Sequence, residues 1–416
     1  MTVIDLGERS HDTEPDPPPP PPPVGRQLRA ALVALLTLLA LGAAAPAPAR
    51  AVRIPVPATS QPGSLVAAGL LILVGERVAG PDGPPQLIAV DVTDGRSRWR
   101  LPLPDAAPVS VLERLGDDVV VTVESDEGPT TLLIDPTAGR VRWRRAGTAT
   151  PTGDGGLLLS AAGPGAVHGV DPGSGAVRWS VASGADTVQY RYDARTVDAF
   201  VLVAVTGRIQ VYDASTGERR AAFTIPPPRP GGYESTQVVG DLLLVVGEPD
   251  RVAAYGLDDG ALRWEAPLDP TAPITNDCGD AICLGQPSRA RVIDPATGRV
   301  RWTADGWAPL TLVGDRLLAG GPEGARQQYA LLDPATGRVL AELGRWQPVG
   351  ELRGKRLLVT RLLPRNRQLL AELELATGEV RVRHVLPGWS GSCDYADRVL
   401  HCLTEGGQIR AWRLPG

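Results

Sequence analysis

The sequence predicts an all-β fold, a β-propeller of four-stranded blades, and two observations carry that expectation. A unit of about forty residues recurs along most of the chain, and every copy contains a tight-hairpin signature whose clearest form is DPATGRVRW at Asp294 to Trp302. The turn glycines Gly95, Gly139, Gly175, Gly217, Gly260, Gly298, Gly337 and Gly378 lie 36 to 44 residues apart, the size of one propeller blade.

Taken in chain order, residues 1–27 are acidic and proline-rich, with seven consecutive prolines at Pro17 to Pro23. Such a composition buries no core, so a disordered or polyproline II tail is expected. Residues 28–49 are apolar, and Ala30 to Ala49 is close to the roughly 20 residues that cross a bilayer. The favoured expectation is one transmembrane helix acting as a signal anchor, with the tail cytoplasmic and the rest of the chain outside the cell membrane. A cleaved signal peptide ending at Ala47-Pro48-Ala49 is the alternative. Arg26 and Arg29 on one side face Arg50 and Arg53 on the other, so the flanking charges do not set the orientation. No cysteine lies near this segment to carry a lipid.

Residues 51–416 carry the repeat. Where a hairpin has the Asp its side chain can accept turn N–H groups, a following Pro fixes its own φ, and the Gly supplies the left-handed residue that closes the turn. A Trp stands four residues after the Gly in five of the eight copies, a fixed place from which a large ring packs between neighbouring blades. Upstream of each hairpin lies another apolar pair, as in ESTQVVGDLLLVVG at Glu234 to Gly247, which makes four strands, A to D. A ninth unit, Gly391 to Leu414, stops after strand C. Its strand D is expected from AVRIPVPA at Ala51 to Ala58, which would close the ring and remove its open edges. Eight to nine blades, with no helix among them, are predicted.

The motif DPATGRVRW at Asp294 to Trp302, with its variants in the other copies, resembles the repeat of pyrroloquinoline-quinone (PQQ)-type β-propellers. That superfamily includes quinoprotein alcohol dehydrogenases and an outer-membrane assembly lipoprotein with the same scaffold and no cofactor. The resemblance covers residues 51–416. It is specific for the fold, whereas function is grafted onto loops. Two activities follow from it: a non-catalytic scaffold binding a protein or an envelope polymer, and, as the alternative, a PQQ-dependent oxidoreductase using quinone and calcium. Many such dehydrogenases carry a vicinal Cys-Cys pair and acidic or amide calcium ligands. This chain has no Cys-Cys, and Asp135, Asp171, Asp294 and Asp333 all fall in turns. No G-x-S-x-G nucleophile motif occurs either. The scaffold is therefore favoured, with no catalytic, metal or cofactor residue assigned.

Cys278 and Cys283, and Cys393 and Cys402, each flank a turn between strands A and B. Of the three possible connectivities, the local one pairs 278 with 283 and 393 with 402. Metal ligation is the rival, although neither spacing is a zinc signature and the four histidines do not cluster. Disulfides would suit an extracytoplasmic location. The formal net charge of −5 and the lack of a basic stripe argue against a nucleic-acid partner. A monomer is expected.

Departures from the repeat mark candidate partner-binding residues. Trp307, Trp346 and Trp389 precede strand A of three consecutive units, and would form a row on the rim where D-to-A connections emerge. The other reading is that each ring caps its own blade. Tyr190, Arg191, Tyr192 and Arg195 mix aromatic and cationic character in one irregular strand A, either a recognition loop or a longer strand with an exposed edge.

Overall fold

Nine four-stranded antiparallel sheets follow one another around a ring, which decides between the eight and nine blades expected. In this computed structural model, the described residues are 32–33, 50–75, 84–103, 108–161, 165–193, 196–226, 235–247, 251–267, 274–286, 289–321, 328–353, 355–365, 367–388, 391–404 and 406–415. The chain divides into two compact units, Met1–Ala49 and Arg50–Gly416. Of the first unit only Leu32 and Val33 are described, both helical, so the expected tail and the rest of the apolar segment lie outside the described residues. Among the described residues, no helix is long and apolar enough to cross a membrane.

In the second unit, blades 1 to 8 occupy 59–102, 109–146, 148–182, 187–224, 235–267, 274–305, 310–344 and 347–387. Blade 9 takes its strands A to C from 393–413 and its outermost strand from Val52–Ile54, paired Val52 to Arg413, Arg53 to Trp412 and Ile54 to Ala411. The N-terminal strand thus closes the ring as the sequence predicts. Further bonds lock blade 1 to blade 9: Thr59 N–H donates to Gln408 Oε1 at 3.1 Å, and Gln408 Nε2 donates to Thr59 O at 3.0 Å.

Position in the blade sets each strand's composition. Strands B and C are covered on both faces by neighbouring blades, so Leu70–Gly75 is buried throughout, whereas the outer strand Ser97–Pro102 alternates exposed and half-buried. The core accordingly lies between blades. Ile72, Val74, Leu87 and Ala89 of blade 1 meet Val119, Val121, Leu132 and Ile134 of blade 2 in one cluster.

The repeated tryptophans explain how successive blades are fastened. Trp99, Trp143, Trp179, Trp264 and Trp302 each donate Nε1–H to a carbonyl in the hairpin turn of the next blade: Pro136, Pro172, Ser215, Pro295 and Pro334, at 2.6 to 3.1 Å. Each ring also lies flat against that turn's glycine, leaving no room for a Cβ at Gly139, Gly175, Gly217, Gly298 or Gly337. Phe223 takes the same place against Gly260.

Within the hairpins the Asp acts as the expected cap. Asp294 Oδ1 accepts N–H bonds from Ala296 and Thr297, both at 3.0 Å, and its backbone O accepts from Gly298 N at 2.9 Å. The register shift just before the turn, between Val292 and Ile293, is the bulge that such a closure produces. The second carboxylate oxygen is used as well: Arg301, on the outer strand, donates to Asp294 at 2.9 Å and to Asp280 of the same blade's A–B turn at 3.0 Å. Arg178 repeats the device between Asp171 and Asp154. The Arg178 bond, then those from Ser174, hold the Asp171 carboxyl at about 2.

Both expected disulfides are present, Cys278–Cys283 and Cys393–Cys402, the second joining directly opposed residues of strands A and B. Loops this short gain the least from closure, about 2 to 3 kcal/mol each in the chain-entropy account. Reduction should lower the melting temperature of the oxidised protein by several degrees, as read by circular dichroism with and without reductant. An unchanged melting curve would show that neither bond contributes.

Candidate functional site

Strands A stand innermost, around the central channel, and at the end where A–B turns emerge they line a cavity of about 1000 Å³. Blades 8, 9, 1, 2, 3 and 4 line it. Charge enters from two directions. Glu113 and Arg114 lie at the end of strand A in blade 2, and Asp394 and Asp397 lie on strand A and the following turn of blade 9. Arg114 Nη1 reaches Asp397 Oδ2 at 3.3 Å, past the short A–B turn of blade 1, and Arg114 Nε donates to Gly116 O at 2.9 Å. Both charged partners are about half-exposed, so the pair adds little to stability.

His401 sits on strand B of blade 9, directly opposite Asp394, and is only 3% exposed. Its Nδ1 lies 2.8 Å from Ser64 Oγ of blade 1, while Nε2 is buried and has no hydrogen-bond partner. Burial lowers its pKa, and the Asp394 carboxylate opposes that only in part, so the ring is neutral at pH 7. A serine, a histidine and an aspartate therefore meet here without forming a nucleophilic triad. In a triad one ring nitrogen faces the serine and the other is oriented by the carboxylate, whereas here the second nitrogen has no partner.

The sequence candidates separate into different environments. Tyr190 donates its hydroxyl to Ser160 Oγ of blade 3 at 2.9 Å. Arg191 is held between Asp198 of its own blade and Asp241 of blade 5, at 2.5 and 2.7 Å. These two side chains connect blade 4 to both neighbours. Tyr192 is 56% exposed and lines the cavity, edge-on to Tyr190. Arg195 lies outside the described residues. Trp346 is 9% exposed within the cluster between blades 7 and 8, with the Arg361 guanidinium 5.9 Å from its ring centroid. Trp307 is half-buried against Ala308, Leu310 and their neighbours, and Trp389 lies outside the described residues.

The sequence reading did not single out Ser64, Glu113, Arg114, Asp394 or His401. They come from opposite ends of the chain, and ring closure brings them together. Their signal would have been polar residues at channel-facing positions of strand A. Among the described residues, no group of three or more His, Cys, Asp or Glu could hold a metal ion.

Comparison with known proteins gives one family match. The family model described as outer membrane protein assembly factor BamB matches residues 129–281 and, overlapping them, 205–351. Similar solved structures include BamB from Moraxella catarrhalis, 20% identical, covering 62% of this chain and 79% of that one with a TM-score of 0.43. The computationally designed Ika8 protein is 14% identical, covers 74% of this chain and 96% of its own, and has a TM-score of 0.48. The C-terminal WD40 domain of Sif2 is 13% identical, covers 89% and 98%, and has a TM-score of 0.42. No curated protein matches.

Proposed function

The chain belongs to the family described as outer membrane protein assembly factor BamB, and on that premise we propose that it is a non-catalytic scaffold that binds a protein partner. Residues 28–49 hold it in the cell membrane, and the propeller stands on the extracytoplasmic side. The carrying observation is the family match, which runs from strand C of blade 2 into strand A of blade 8. The two disulfides support the location, since such bonds persist outside the cytoplasm. The A–B end of the channel is the favoured contact surface, because Tyr192 is presented there while Trp346 is packed away.

A photo-crosslinking residue at position 192 of the full-length chain, in intact membranes, should give one discrete protein adduct. The same residue at position 307 tests the opposite rim. Smeared polymer adducts would replace the protein partner by an envelope polymer, and no adduct from either position would overturn the scaffold. Trp346→Ala separates packing from contact. As a buried aromatic truncation it should cost about 3 kcal/mol or more, read as a lower melting temperature.

A further inference from the structure

We propose that the A–B end of the propeller faces the membrane, and that the partner taken at the channel mouth is an integral membrane protein offering a short extramembrane segment from the same bilayer. The proposal rests on the membrane anchor and the scaffold reading, and names the class of partner.

Strand direction points there first. In blade 9, Val399 directly follows the A–B turn and pairs with Arg413, which in turn pairs with Val52. The first residue of the closing strand therefore stands at the A–B end, and the strand runs away from that end toward Ile54. The chain thus enters the propeller at the end that carries the mouth of the cavity. Only Arg50 and Ala51 separate Val52 from Ala49, the last residue of the apolar segment. Fully extended, that stretch spans at most about 11 Å. Arg50 and Arg53 are both exposed beside this entry, cations of the kind that settle among lipid headgroups.

The shape of the same end is a second, independent observation. Its connections are the A–B and C–D turns, none longer than six residues, the length between Val170 and Val177. The other end carries connections of up to ten residues, between Gly75 and Gln86 and between Thr224 and Ser235. The end with the mouth is therefore the flatter of the two, the one that can lie close to a flat bilayer. A gap set by a tether of about 11 Å admits a loop or an extended segment but no folded domain, whose radius of gyration alone is about 13 Å at about 100 residues. A protein already in the bilayer supplies a segment at that depth, whereas a soluble domain is too large to reach it. The cavity of about 1000 Å³, with the exposed ring of Tyr192 on its wall, has room for such a segment.

The test places a fluorescent residue at position 117, in the A–B turn of blade 2, or at position 126, in the B–C connection at the other end of the same blade; both native residues are exposed. The full-length chain is reconstituted into vesicles that carry an acceptor dye on their headgroups. Strand B between the two positions, Asp118–Val123, is about 20 Å long, so position 117 should transfer energy as a donor about 20 Å closer to the membrane does. Equal transfer, or more from position 126, overturns the proposal. The protein captured from position 192 in intact membranes should contain a membrane-spanning segment, identified by mass spectrometry. Capture of a soluble protein overturns the proposal and leaves the scaffold standing. Release of the chain from membranes by alkaline carbonate removes the anchor and the proposal with it. If position 117 reports the nearer end while position 192 captures nothing, the orientation holds and the scaffold, with its partner, falls.

Discussion

Removing residues 50–57 should leave a propeller that melts at a much lower temperature and aggregates on concentration. The strand they contribute is short, with three paired residues, but nothing else among the described residues covers the outer edge of blade 9. Ile54 is buried among Val66, Leu71, Leu73, Ile88, Val399 and Ala411, with Val56 packed at the margin of the same cluster. Pro55 lies against the turn glycine Gly95 of blade 1, the place that a tryptophan holds between other blades. Loss of the apolar contacts of Ile54 and Val56 alone is worth on the order of 4 kcal/mol. It would also expose the unpaired backbone of the strand carrying Trp412, an edge that can pair with another chain. Thermal melting and light scattering of the deletion read both effects. Adding the peptide AVRIPVPA in trans should recover part of the lost melting temperature. An unchanged melting curve would mean that the ring is held shut by the Thr59–Gln408 bonds and inter-blade packing alone.

Why this closure was legible, while the mouth of the channel was not, follows from what a repeat encodes. The turn Gly, and the Asp and Trp that most hairpins carry, recur because each has the same mechanical task wherever it stands, so laying copies over one another exposes them. Local pairing of the cysteines was legible for a related reason: 393 and 402 face each other across one turn. Blade number was harder, since the ninth blade is assembled from both ends of the unit and has no hairpin of its own between strands C and D. Ser64 and His401 meet only after that closure, 337 residues apart, and no local pattern announces them. Tyr190, Arg191 and Tyr192 show a different limit. Their mixed character is visible in sequence, yet which of the three is exposed depends on Ser160 and Asp241 in the flanking blades.

A double-mutant cycle on Trp264 and Gly298 should show strong coupling, because the same contact makes the tryptophan stabilising and the glycine obligatory. Trp264 is buried and donates Nε1–H to Pro295 O at 2.8 Å, so Trp264→Ala removes both packing and a hydrogen bond, at about 3 to 5 kcal/mol. Gly298→Ala suffers twice. Its φ of +68° is unfavourable for any residue with a Cβ, and the new methyl would lie 2.5 Å from Trp264 Cδ2, well inside contact distance. Once the ring has been removed the steric part of that cost disappears and only the backbone part, about 1 to 2 kcal/mol, remains. Gly298→Ala should therefore be less damaging in the Trp264→Ala background than in the wild type, with a coupling of about 1 to 3 kcal/mol in denaturant titrations. The equivalent pair Ala341 and Gly378 makes the same close approach without a ring: a Cβ on Gly378 would lie 2.3 Å from Ala341 Cβ, so Ala341→Gly should likewise relieve Gly378→Ala. Additivity within about 0.5 kcal/mol at Trp264 and Gly298 would mean that the turn glycine is kept for its φ alone and that the ring can move aside.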